Sequence, residues 1–227
     1  MSLYTIILIA SISIPFILSF DKKLQFYKQW KYLIPSIVII AVFYIVGDIY
    51  FTKTGVWGFN KNYLSSVFLF KLPIEEWLFF LAIPYASIFL HDVLYLYFPA
   101  FQVTDKTARV LTLLFIVLSV VVLLLNLDKA YTVYIFTVFI VVLLISFFDK
   151  SHTISRFYCT FLVILIPFVL VNGVLTGAFT AEPVVWYDHT ENLNLRFITI
   201  PIEDFMYGFT MLLSAIMLRN RLKSSEV

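Results

Sequence analysis

Seven mostly apolar runs, each near the twenty or so residues that cross a hydrocarbon layer, leave this chain one fold class. They fall at about 3–20, 32–51, 73–96, 108–126, 130–148, 155–177 and 198–218. The 227-residue chain is 62% hydrophobic and 13% charged, which excludes an ordinary water-soluble domain. The expected fold is therefore all-α, a polytopic membrane helix bundle of about seven transmembrane helices. Pro35, Pro84 and Pro167 fall inside spans, where neighbouring helices tolerate them and where they mark kinks.

The charge balance excludes other classes. A net charge of +2, spread along the chain, offers no nucleic-acid surface. Cys159 is the single cysteine, so no intrachain disulfide forms. Met1-Ser2-Leu3-Tyr4 carries no basic side chain, and Asp21-Lys22-Lys23 stands where small residues would mark cleavage. The first span is expected to stay as an anchor.

The pattern repeats at half-length. Pro73-Ile74-Glu75-Glu76-Trp77 returns 128 positions later as Pro201-Ile202-Glu203-Asp204-Phe205. At the same offset, Phe20-Asp21-Lys22 ends the first span and Phe148-Asp149-Lys150 ends the fifth. Gly47-Asp48 and Asn172-Gly173 end the second and sixth spans, and a long loop with Trp57 or Trp186 follows each. The expected units are residues 1–98 and 129–227, two three-helix repeats joined by a linker helix within 99–128. Four spans separate corresponding helices, so the repeats run parallel and both acid pairs arrive at one membrane face. That face carries Lys53, Lys61, Lys71, Lys129 and Arg196, whereas the other eleven basic residues lie opposite. The bias puts the N-terminus outside and the C-terminus in the cytoplasm, in the plasma membrane.

Each acid pair opens a span, and ionisable groups at such depth mark function by default. Carboxyls sharing a poorly solvated site titrate as a set, with one proton retained, which supplies a donor beside an acceptor. Pairing with Lys71 or Arg196 is the plainer account, and the duplication weighs against it. Asp48 and its counterpart Asn172 are expected to support the acids or to cap their helices. Trp57, Phe59, Trp77, Phe205 and Tyr207 are the expected apolar lining, although aromatics are common at the interface. His91 and Asp92 read as anchors at the far end of the third span, and His189 as a surface residue. No G-x-G-x-x-G or Walker loop, no Asp-rich diphosphate motif and no lysine in the seventh span appears. Neither a metal nor a cofactor is expected.

Pro-Ile-Glu-Glu-Trp-Leu-Phe-Phe at 73–80, Pro-Ile-Glu-Asp-Phe at 201–205, Ser-Phe-Asp-Lys at 19–22 and Gly-Val-Trp-Gly-Phe-Asn at 55–60 resemble the lycopene cyclase domain family. The resemblance spans nearly the whole chain, one domain per repeat. The second repeat departs from it, with Asn172 for Asp48 and Val-Val-Trp-Tyr-Asp at 184–188. The resemblance implies conversion of lycopene to γ- and then β-carotene, an isomerisation without net electron transfer. Glu75 and Glu203 would then carry the chemistry, with Glu76 and Asp204 tuning or sharing the proton. Which acid donates stays open, as does a β- or ε-ring outcome. The implied partners are an apolar carotenoid and the bilayer, with docking onto other carotenoid enzymes compatible. Two alternatives stand: a small transporter of three, one and three helices, and a cyclase of a longer carotenoid.

Overall fold

The structure, a computed structural model, describes residues 1–149 and 151–225. Seven helices carry the fold: α1 Leu3–Leu18, α2 Trp30–Thr54, α3 Ile74–Tyr97, α4 Asp105–Leu125, α5 Ala130–Ser146, α6 Thr153–Leu175 and α7 Ile202–Ser224. Four of the described helical segments are long and apolar enough to span a bilayer, and α1 and α5 are shorter apolar helices. The chain is an all-α membrane bundle. Of the motif Phe148-Asp149-Lys150, Lys150 lies outside the described residues.

Local chemistry sets the helix ends. Ser2 caps α1 by accepting the Thr5 amide, and Thr104 caps α4 by accepting the Thr107 amide. Gly55 closes α2 at a φ of 83°, a left-handed conformation that glycine adopts without strain. Pro73 and Pro201 stand immediately before α3 and α7, where a missing N–H costs nothing.

Six short strands occupy the end of the bundle where α3, α5 and α7 begin. β1 (Trp57–Phe59) pairs antiparallel with β4 (Val185–Tyr187), joining the long loop of one half to that of the other. β2 (Phe68–Leu69) pairs with β3 (Leu72–Pro73), and β5 (Arg196–Phe197) with β6 (Ile200–Pro201). Each of these hairpins therefore runs straight into a Pro-Ile-Glu turn. The second hairpin takes residues 196–201, so α7 starts at Ile202 and not at the expected 198. Periodicity alone could not separate that apolar hairpin from a helix.

The halves interlock. α1 packs on α3 and α5 on α7, while α2 packs against α7 and α6 against α3. α3 and α7 also touch, which puts both acid-bearing helices at the centre. A large apolar cluster built around Phe157, Phe209, Leu213 and Ile216 fills the end away from the acids. His91 and Asp92 lie within this packing and not on an exposed anchor surface. His91 is buried with Nδ1 2.7 Å from Thr160 Oγ1, and Asp92 accepts a 2.7 Å hydrogen bond from Arg219.

Candidate active site

Adjacent residues on a helix point about 100° apart, and the first turns of α3 and α7 use that divergence in the same way. The leading acid of each pair turns toward the start of the helix two before its own, α1 or α5, and toward the loop that precedes it. Glu75 Oε1 accepts hydrogen bonds from Ser2 Oγ at 2.7 Å, Thr5 Oγ1 at 3.2 Å and the Ser65 amide at 2.7 Å. Glu203 Oε1 accepts from Thr132 Oγ1 at 2.7 Å and the Leu193 amide at 2.8 Å. Each carboxyl thus ties a neighbouring helix start and a long loop to the turn that carries it. Both residues have 0% exposure, and the Oε2 of each is buried with no partner among the described residues.

The trailing acids face inward. Glu76, Asp204 and Asp48 line one cavity of about 320 Å³, and all three are buried. Tyr4 donates to Glu76 Oε2 at 2.7 Å. Tyr131 donates to Asp204 Oδ1, and Tyr187 donates to Oδ2 at 2.9 Å. Tyr207 donates to Asp48 Oδ1 at 2.9 Å. Asp204 therefore holds a phenol on each oxygen, whereas Glu76 holds one phenol among the described residues. Tyr187 lies in the loop ribbon, and its burial, with the Asp204 charge beside it, pushes its phenol well above the ordinary value. It stays a donor at neutral pH.

Neither expected base pairs with these acids among the described residues. Lys71 sits exposed in the first hairpin turn. Arg196 donates to the Thr199 carbonyl and lies over the Tyr187 ring. The acid cluster is held by phenols and hydroxyls, neutral donors that satisfy a carboxylate in low dielectric without a counter-charge.

Beyond the acids the walls are apolar and aromatic, with Phe79, Phe80, Phe168 and Met211 among them. Trp57 and Phe59 from β1 and Val185 and Tyr187 from β4 close the acid end. Strand alternation explains the choice, since residues two apart share a face. Gly58 and Trp186 face the other way, and a Cβ on Gly58 would lie 2.4 Å from the Trp186 ring. Only glycine fits under that indole.

Of the residues expected from sequence, Glu76, Asp204, Asp48, Asn172, Trp57, Phe59 and Tyr207 line the cavity. Asn172 donates to its own helix, at the Phe168 carbonyl. Glu75 and Glu203 stand behind the wall. Trp77 and Phe205, equivalent positions, point toward the hairpins. Trp77 donates to the Leu69 carbonyl, and Phe205 packs on Phe168 and Phe197. Sequence reasoning missed Tyr4, Thr5, Tyr131, Thr132 and Tyr187. A signal existed for four of them: Tyr4-Thr5 and Tyr131-Thr132 recur 127 apart, each opening a short helix.

A family model described as "Lycopene cyclase" matches residues 1–94 and again residues 128–222. Comparison with curated proteins and with solved structures returns no significant match.

Proposed function

The chain belongs to the lycopene cyclase family, and we propose that it closes β-rings on the acyclic ends of lycopene by carboxyl acid–base catalysis inside the membrane. The family membership makes it a carotenoid cyclase; the ring type, the order of proton transfers and the residue roles are our reading. One observation carries it: three buried carboxyls meet at the roofed end of an otherwise apolar cavity. An acyclic polyene end needs such a place, because it offers a catalyst only alkenes and methyl groups.

In this reading Glu76 holds the proton. It adds to the terminal double bond, leaving a tertiary cation, and the neighbouring alkene supplies the electron pair that closes the six-membered ring. The cation then sits on a ring carbon, and Asp204 removes a proton from the carbon beside it to form the ring alkene. Glu76 ends as a carboxylate and Asp204 as an acid, and return of that proton resets the pair. No electrons are gained or lost overall. The hydrogen bonds support this division: two phenols on Asp204 suit an anion, whereas Glu76 has one donor and room to carry its own proton. Asp48, bonded to Tyr207, completes the cluster.

The remaining groups manage the cation. Faces of Phe79, Phe80 and Trp57 are each worth about 2 kcal/mol to a desolvated positive charge. The β1–β4 ribbon excludes water, which would otherwise trap the cation as an alcohol. Glu75 and Glu203 act as positioning residues, fixing the turns on which the reacting acids stand. The N-terminus faces outward and the C-terminus the cytoplasm, by the excess of basic residues on the latter side.

Pigment extraction tests the reading. Expression in lycopene-accumulating cells should yield mono- and bicyclic β-ring carotenoids by liquid chromatography, and Glu76→Gln should leave lycopene uncyclised at equal membrane levels of protein. Unaltered lycopene with the unmodified chain would exclude the proposal. A solute moved with pigment unchanged would favour transport.

A further inference from the structure

The cavity does not follow the symmetry of the repeats. From the acids it runs down one side of the bundle only, between α1, α3 and α6, with Gly208, Met211 and Leu212 of the central α7 as its inner wall. Its far walls are Ser11, Ile14 and Pro15 of α1, Ser87 and Leu90 of α3, and Ile164 and Pro167 of α6. Along α3 the fourteen steps from Glu76 to Leu90 rise about 21 Å, so this arm reaches well into the hydrocarbon layer. Ile14 is 66% exposed and Pro167 is exposed as well, although both line the cavity. The arm therefore meets the outer surface between α1 and α6, at a depth where that surface faces lipid.

The equivalent space between α5, α7 and α2 is solid. Ile37, Phe139, Val142 and Ala215 are buried together there, and Tyr44 fills the level above and donates to Thr210 Oγ1 at 2.7 Å. Nearer the acids, Tyr134 lies against Gly47 so closely that a Cβ would sit 2.7 Å from its hydroxyl oxygen. From α2 and α5 only Asp48 and Tyr131 reach the cavity, both at the acid end. One side of the bundle holds a channel and the other is a packed wall.

Resting on the cyclase reading above, we propose that the α1–α3–α6 arm is the single lateral entrance for the polyene and holds its unreacted remainder while one end reacts. A cavity of about 320 Å³ lies at the small end of the roughly 300–1,000 Å³ range for ligand sites. It fits one end of the substrate and not a second acid-facing end. The two rings are thus closed in separate visits. The monocyclic product must withdraw through the α1–α6 gap and return by its other end. Ser87 and Leu90, along the arm, govern which polyenes fit.

A chase with the unmodified protein in lipid vesicles tests this. Labelled lycopene is supplied briefly, then a large excess of unlabelled lycopene. Label should remain in the monocyclic product, because each released molecule competes with the excess for re-entrance. Label passing on to the bicyclic product undiminished by the chase would overturn the inference of separate visits and leave the cyclase reading intact. Absence of any cyclic carotenoid without a chase would overturn both. As a second arm, Ser87→Phe should abolish lycopene turnover at a membrane level and thermal midpoint equal to those of the unmodified protein. Normal turnover by Ser87→Phe would also overturn the inference.

Discussion

The first turns of α3 and α7 are close copies in their outer layer and differ in their inner one. In both, the leading glutamate binds a threonine of the helix two before its own, α1 or α5, and a loop amide ten residues upstream. In both, a tyrosine of that same short helix binds the trailing acid. The difference lies in what else reaches the acid, from the loop ribbon in one case and from α2 in the other. The α7 acid receives a second phenol from Tyr187, and the α3 acid lies beside Asp48. Duplication thus preserves the frame that holds each acid, and the two inner faces have diverged into unlike environments. Unlike environments for paired carboxyls are what separate an acid from a base.

The largest effect should come from the inner acids. Glu76→Gln and Asp204→Asn are each expected to lower cyclisation by about 10²- to 10⁴-fold, the usual contribution of a general acid or base. Single-turnover pigment assays at matched protein levels provide the measurement. A near-normal rate in either variant would break the comparison, because that half would then be scaffold.

Next come the outer acids, for which the two halves should behave alike. Glu75→Gln or Glu203→Gln puts an amide where a buried oxygen now has no partner and weakens the bonds to the helix start and loop. A destabilisation of about 1–3 kcal/mol is expected from each, read as a drop in thermal midpoint in detergent with a smaller loss of rate. If cyclisation vanished while the midpoint held, the leading acids would be reacting groups and the layers would need to be exchanged.

This layering is where sequence ran out. The paired acids, their common end and the parallel repeat followed from spacing and span parity, because a count of helices fixes orientation without coordinates. Adjacent glutamates on one turn look equivalent in sequence, however, and which faces the axis depends on helix rotation, set here by Ser2, Thr5 and Tyr4. Those residues read as an ordinary helix start. The departure at 184–188, Val-Val-Trp-Tyr-Asp, marked inequality between the halves without saying that Tyr187 would reach Asp204. Trp77 and Phe205 misled for the same rotational reason: one step beyond each inner acid, the helix already faces its hairpin.

Smaller effects should sharpen the asymmetry. Tyr4→Phe removes the one phenol on Glu76, whereas Tyr187→Phe leaves Asp204 with Tyr131. A net hydrogen bond is worth about 1 kcal/mol, or roughly fivefold in rate. Tyr4→Phe should therefore slow cyclisation about fivefold and Tyr187→Phe less. The reverse order would assign the proton to the α7 side.

The smallest effect concerns the turn after α1, far from the acids and repeated after α5. Asp21 accepts the Lys23 and Leu24 amides, and Asp149 accepts those of Ser151 and Thr153. The amides of Leu24 and then Lys23 hold the Asp21 carboxyl below its ordinary range. A depressed folded value contributes stability above the unfolded pKa, and that contribution is lost as pH falls through the folded value. Asp21→Asn should lower the thermal midpoint slightly at pH 7, and the gap from the unmodified protein should close on acidification below about pH 4. Cyclisation should be unchanged, since this turn lies at the opposite end of α1 from Tyr4. A gap that widened in acid would show that the turn draws its stability from something other than the ionised carboxyl. A change in product ratio would instead couple it to the α1 wall of the channel.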